Sequence, residues 1–334
     1  MKPVYPEEIW KMNQIVFVAF LLQICFAFDF NKYNALDKIE KYLATFNCNQ
    51  GKVKSKVETI GKTFEERSIY MVKMFTKRET RCGSCNGKSK KAILVDGGIH
   101  PRDFISHAFV LYFLNFLKTT QAGFYLVKKF DWYFIPVLNP DGYVYAKNVV
   151  RLWRKNRNPF NETCIGTDLN RNYGMQWNPE NGGSRNPCNE LYSGPFPFSE
   201  LESQAERKLM LKKAFIGYLS IQSFGQLWIY PWGFTKDPVP DKPTLDKCAK
   251  AAASAATARN GVVYSSRQTS QRSTLGGLSS DYAKAAGIKF PYEVLLRDKG
   301  TFGHLLPEDQ IIATCEETTD AVIAWANCVC AEMM

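Results

Sequence analysis

"KAILVDGGIHPRDFISHAFVLYFLNFLKTT", Lys91 to Thr120, runs from a short apolar stretch through two glycines into a long apolar segment with helical spacing. A buried strand, a glycine turn and a helix in that order build an α/β architecture. The turn also carries the first candidate chemistry. His100 stands three residues before Asp103, and His107 follows four residues later on the helix. Open α/β sheets place their sites at the carboxyl ends of strands, where this turn falls. His100, Asp103 and His107 are therefore one possible ligand set, since a catalytic zinc takes three protein ligands and keeps an open position for water. The competing reading makes His107 a polar residue among apolar helix neighbours. The chain has three histidines, and His304 is the third.

Outward from this unit the alternation continues. "RSIYMVKMF", "FDWYFIPVL", "FIGYLSIQSF" and "GIKFPYEVLL" read as strands, while "SELESQAERKLMLKKA", "TLDKCAKAAASAATARNG" and "DQIIATCEETTDAVIAWANCVCAEMM" carry helical periodicity. The pattern predicts helices covering a mostly buried sheet. With 334 residues, 45% hydrophobic and 22% charged, the chain suits one large domain with a thick core and excludes a disordered or fibrous protein. No internal repeat or linker divides it.

Residues 12–28, "MNQIVFVAFLLQICFAF", follow Lys2 and Lys11 and read as a secretory leader. Their apolar part is shorter than the ~20 residues a spanning helix needs, although a membrane anchor is the competing reading. The expected division is residues 1–27 as leader with a short upstream extension, and 28–334 as the mature, secreted domain. Ten cysteines agree with export, because an oxidising compartment lets thiols pair. With Cys25 in the leader, nine remain, so at least one is free or pairs between chains. The "CGSC" of Cys82 to Cys85 reads as a structural disulfide element, since it opens no helix and no second such motif exists.

The formal charge of +11 gathers in "GKVKSK", "KSKK" and "RLWRKNR". Such basic surface holds nucleic acid or sulfated polymers. No nucleic-acid-binding signature accompanies it, so nucleic acid is not an expected partner. Most of these lysines read as solvated surface, with anionic polymers as a further class of partner.

"TIGKTFEERSIYMVKM", "DGGIHPRDFI", "IPVLNPDGYVYA", "RLWRKNR", "GTDLNRNYGMQW", "NPCNELYSGPFPFSELE", "QLWIYPWG" and "LLRDKGTFGHLLP" follow one another along the chain. In that order they resemble the landmarks of the zinc carboxypeptidases of the pancreatic A/B type, over roughly residues 28–326. The resemblance implies a mixed, mostly parallel twisted sheet sandwiched between helices. It also implies a disulfide between Cys164 and Cys188, closing a loop whose cross-link stabilises by roughly 3–4 kcal/mol in the chain-entropy model. In that family a histidine and a glutamate of one turn and a distant histidine hold zinc, and a strand-borne glutamate acts on the zinc-bound water.

This chain departs from that pattern at three positions. His100 matches the first ligand, but Asp103 replaces the glutamate and is one methylene shorter. Gln222, in "SIQSFGQ", stands where the third ligand should be, and an amide oxygen is a poor zinc donor beside imidazole. Leu295, in "PYEVLLRDKG", stands at the glutamate position and can carry no proton. General acid–base catalysis contributes ~10²–10⁴ in rate, about 3–5 kcal/mol of barrier. Glu293 shares strand parity with Leu295, so a two-residue slip would offer it as the base, displaced by about 6.6 Å. Its other reading makes the pocket for the terminal side chain acidic.

Arg102, Arg154, Asn170 and Arg171 match the family residues that hold the substrate carboxylate or polarise the scissile carbonyl. Arginine suits this task through its planar fork of donors. Ser280 falls at the base of the specificity pocket, where the A type is apolar and the B type has aspartate. The family's mobile tyrosine has no clear match, its position falling near Ser273. The family's inhibitory pro-segment also has no counterpart before "FDFNKYNALDKIEKYL", which suits a protein with little activity to restrain. The expectation is a secreted protein impaired in zinc hydrolysis that binds peptides with a free C-terminus, with no membrane contact once the leader is removed. A working zinc carboxypeptidase is the alternative.

Overall fold

The computed structural model describes residues 28–47, 51–77, 90–271 and 273–333. The leader, Cys25 and the Cys82–Cys85 element lie outside the described residues. Eight strands, β1 (Lys54–Lys62), β2 (Ser68–Phe75), β3 (Lys91–Gly97), β4 (Phe130–Ile135), β5 (Phe215–Gln222), β6 (Leu227–Tyr230), β7 (Ser265–Gln268) and β8 (Phe290–Leu295), form one sheet. Their order is β1-β2-β4-β3-β5-β8-β6-β7. The centre, β4-β3-β5-β8, is parallel throughout. Antiparallel pairing brings in β1 and β2 on one side and β6 on the other, where β7 adds a further parallel pair. This is the mixed, mostly parallel sheet that the resemblance implied.

The helices are α1 (Leu36–Ala44), α2 (Phe104–Thr119), α3 (Gln121–Lys129), α4 (Pro140–Asn148), α5 (Leu201–Lys212), α6 (Lys242–Asn260), α7 (Ser279–Ala285) and α8 (Ile311–Ala331). Alternating strand residues feed two cores, because successive side chains point to opposite faces. Val72, Ile93, Trp132, Leu219 and Tyr292 pack under α2, α6 and α8. Met71, Leu94, Tyr133 and Tyr218 pack under α5 and α7. The indole of Trp325 on α8 packs against β5 at Gly217, where an added Cβ would stand 2.6 Å from it. Each large apolar side chain buried in these layers contributes about 1.5–3 kcal/mol.

Local chemistry starts the helices where the site needs them. Asn139 caps α4 by accepting from the Gly142 N–H at 2.9 Å, and Pro140 supplies the first turn. At the end of β3, Gly98 adopts φ +74°, and an added Cβ there would lie 1.7 Å from the His107 ring. That turn lifts His100 and Asp103 off the sheet edge. The expected Cys164–Cys188 disulfide is present, with Cα atoms 4.6 Å apart. A second bond, Cys248–Cys328, ties α6 to α8, and Cys315 on α8 is a free buried thiol. No described helix is long and apolar enough to cross a membrane.

Candidate active site at the carboxyl ends of β3, β5 and β8

His107 belongs to the core. Its Nδ1 lies 3.1 Å from the Pro136 carbonyl, its ring packs on Tyr143, and burial pushes its pKa down to about 4. The ligand set that includes His107 is thereby set aside.

His100 and Asp103 instead join a chain of polar contacts that starts on the loop after α4. Arg154 Nε donates to Asp168 Oδ2 at 2.9 Å, and Asp168 Oδ1 lies 2.9 Å from His100 Nε2. That contact fixes the ring with Nδ1 turned toward Asp103, whose Oδ2 is 3.8 Å away. A histidine whose outer nitrogen is held by a carboxylate has the orientation and basicity of a metal ligand. Burial raises the pKa of Asp168, but Arg154 and His100 outweigh it and hold the carboxylate well below its ordinary range.

Asp103 is committed elsewhere. Its Oδ2 accepts the Ser223 N–H at 3.0 Å, and its Oδ1 lies 2.7 Å from His304 Nδ1. Neither Oδ1 nor that nitrogen has an aligned hydrogen bond among the described residues, so the approach is an ion-pair contact. Burial acts to raise the Asp103 pKa, yet His100 and His304 hold it well below the usual carboxylate range. The His304 ring packs on Phe224, and its carbonyl accepts from Arg151 Nη2 at 2.7 Å.

Gln222 ends β5 beside Leu295, its register partner at the end of β8. Its amide nitrogen donates to Ser220 Oγ at 3.3 Å, leaving the amide oxygen as the donor a metal would meet. Glu293 sits one strand repeat back and accepts from Ser280 Oγ at 2.7 Å, with both side chains buried. Asn170 Oδ1 accepts the Ser279 N–H at 3.0 Å, and Arg171 donates to the carbonyls of Gly182 and Asn170. Arg102 donates to the Leu152 carbonyl at 3.3 Å and lies 3.5 Å from Glu190. Ser273, near the position of the family's tyrosine, is exposed.

The "RLWRKNR" cluster turns inward. Arg151 stacks on Phe104 and Arg157 on Tyr145, while Lys155 is 5% exposed and donates to the Pro187 carbonyl. Asp168, His304 and the Ser223 N–H are the site groups that sequence reasoning missed. Their one signal was position, since Asp168 and His304 both fall inside landmark stretches.

A parallel sheet core with a histidine–carboxylate turn at β3, flanked by arginines from the following loops, defines the fold of a metal-dependent exopeptidase. The family model for zinc carboxypeptidase matches residues 39–321, and the chain belongs to that family. It is 37% identical over 308 residues to carboxypeptidase B of Astacus astacus, covering 90% of this chain and 98% of that protein. Carboxypeptidase B of Homo sapiens is 37% identical over 302 residues, covering 88% and 70%. The crystal structure of thrombin activatable fibrinolysis inhibitor superposes with TM-score 0.84 at 31% identity, covering 90% of this chain and 75% of that one.

Proposed function

We propose that this carboxypeptidase-fold protein is secreted, binds peptides through their C-terminal carboxylate, and hydrolyses them poorly or not at all. The observation that carries the reading is the pairing of Gln222 with Leu295 at the adjoining ends of β5 and β8. One catalytic position of the family holds a weak metal donor, and the other holds a side chain that cannot take a proton. The contacts of Asp103 with His304 and the Ser223 N–H support weak zinc binding, because a metal has to compete with both. Export rests on the leader-like residues 12–28 and on the disulfides. Arg102, Asn170 and Arg171 supply the carboxylate donors, Arg154 stands at the position that polarises the scissile carbonyl, and Glu293 beside Ser280 gives the pocket a preference for terminal Lys or Arg.

One observation favours the competing reading of a working zinc exopeptidase: the contact with Asp168 leaves His100 Nδ1 free to ligate. Two measurements separate the readings. Elemental analysis after dialysis against a mild chelator should find well under one zinc per chain. Fluorescence polarisation should show binding of a peptide with a free C-terminus and loss of that binding on amidation. Stoichiometric zinc with ready release of C-terminal residues would establish the working enzyme, and equal binding of free and amidated peptides would remove carboxylate recognition.

A further inference from the structure

A second concave surface lies away from this site, between α5 and the sheet face formed by β1, β2 and β4. The groove has a volume of about 740 Å³. Its charged lining is Lys56, Lys73, Lys208, Lys212 and Lys213 against Glu58.

The placement of these lysines breaks local rules of stability. Lys56 of β1 and Lys73 of β2 are direct cross-strand partners, and like charges in that position repel. Lys208 and Lys212 stand one helical turn apart on α5, another unfavourable like-charge spacing, and Lys213 follows directly. Relief is partial. Glu58 pairs with Lys56 at 2.9 Å, and Asp131 lies 3.6 Å from Lys73. Lys208, Lys212 and Lys213 are exposed, and among the described residues they have no ion-pair partner. The strand wall therefore brings two lysines that each have one carboxylate, the α5 wall brings three whose nearest counter-charge is Glu58 across the groove, and the concavity as a whole keeps an excess of positive charge. Violations of this kind, repeated at one place, mark a site whose compensation comes from a ligand.

We propose that this groove binds a sulfated polysaccharide chain. The lining has lysines and no arginine, so it offers point charges spread over two walls rather than a planar fork that clamps one anion, which suits a chain carrying many anions along its length. Lys208 and Lys212 are about 6 Å apart along the α5 axis, so that wall meets a ligand with repeated anions. The aromatic rings do not suit bases. Lys73 Nζ lies 4.8 Å over the Phe75 ring and 5.4 Å over Tyr133, which is 4% exposed, so neither offers the open face on which single-stranded nucleic acid stacks. The inference does not depend on the state of the metal or the base.

The test uses the secreted protein and a heparin dodecasaccharide, titrated calorimetrically at several salt concentrations. Lys208→Ala, Lys212→Ala and Lys213→Ala together should weaken binding by about 10-fold or more and flatten its salt dependence. A control triple variant, Lys236→Ala, Lys242→Ala and Lys299→Ala, removes the same charge from exposed positions outside the groove lining. It should stay within about twofold of the parent. All six lysines are exposed, and matched melting curves verify folding. Equal losses in the two triple variants, or no loss in either, would overturn the proposal in favour of diffuse net charge. Single-stranded DNA bound as tightly through the same three lysines would overturn the ligand class.

Discussion

On the proposed reading of Asp103 and Gln222 as weak ligands, Asp103→Glu and Gln222→His together should create zinc binding that is still limited by His304. Asp103 is 1% exposed and lies 2.7 Å from His304 Nδ1, and a glutamate built from the same Cα meets the same ring, so drawing its carboxylate toward a metal competes with that buried contact. Scaled to a hydrogen bond to a charged group, about 1.5–3 kcal/mol, such an ion-pair contact corresponds to about 10- to 100-fold in affinity. Adding His304→Phe removes that competitor and keeps an aromatic ring against Phe224. The triple variant should therefore bind zinc about 10- to 100-fold more tightly than the double variant. Competition with a chromogenic chelator measures both constants, and thermal melting without metal checks that each variant folds. Equal zinc affinity in the two variants would refute the role given to His304. Stoichiometric zinc in the unmodified protein would refute the weaker-ligand reasoning itself.

Adding Leu295→Glu to the triple variant should raise peptide turnover by about 10²-fold or more, because a carboxylate then stands beside position 222 to carry a proton. Unchanged turnover would show that the base position has been misassigned. Stability should fall as pH rises through neutrality. Burial pushes the Glu202 carboxyl up to about 8, so between its ordinary range and that value the folded chain keeps a proton that the unfolded chain has lost. Each such group costs up to about 1.4 kcal/mol per pH unit over that interval. Asp96 and Asp281, both raised to about 7 chiefly by burial, act in the same direction. Denaturant unfolding at pH 5 and pH 8 should show a shallower decline for Glu202→Gln than for the parent, and parallel declines would contradict the buried-acid account.

The parts of the fold that were legible in sequence are those whose pattern follows from burial on both faces. "KAILVDGG" and "FDWYFIPVL" are nearly continuous apolar runs because β3 and β4 lie inside the sheet. β1 was not legible, since its residues "KSKVETIGK" are mostly polar and partly exposed beside the groove. Nor were β6 and β7, at four residues each too short for a period to show. At the site, Asp103, Gln222 and Leu295 stand inside ordered landmarks, and the proposal of an impaired centre rests on them. The contact chain from Asp168 through His100 and Asp103 to His304 was not legible, because it joins residues from three separate segments and no local spacing encodes it. The Cys248–Cys328 bond, between cysteines 80 residues apart, was hidden for the same reason.

Cys315 gives the molecule an internal clock. Burial pushes its thiol well above the ordinary value, so the folded protein presents almost none of the thiolate that alkylating reagents need. The residue becomes reactive only in openings that bring its buried face of α8 to solvent. The rate at which its peptide gains a label therefore counts openings of this layer under native conditions. A ligand that grips both walls of the core will be seen to slow the count even when it causes no spectral change.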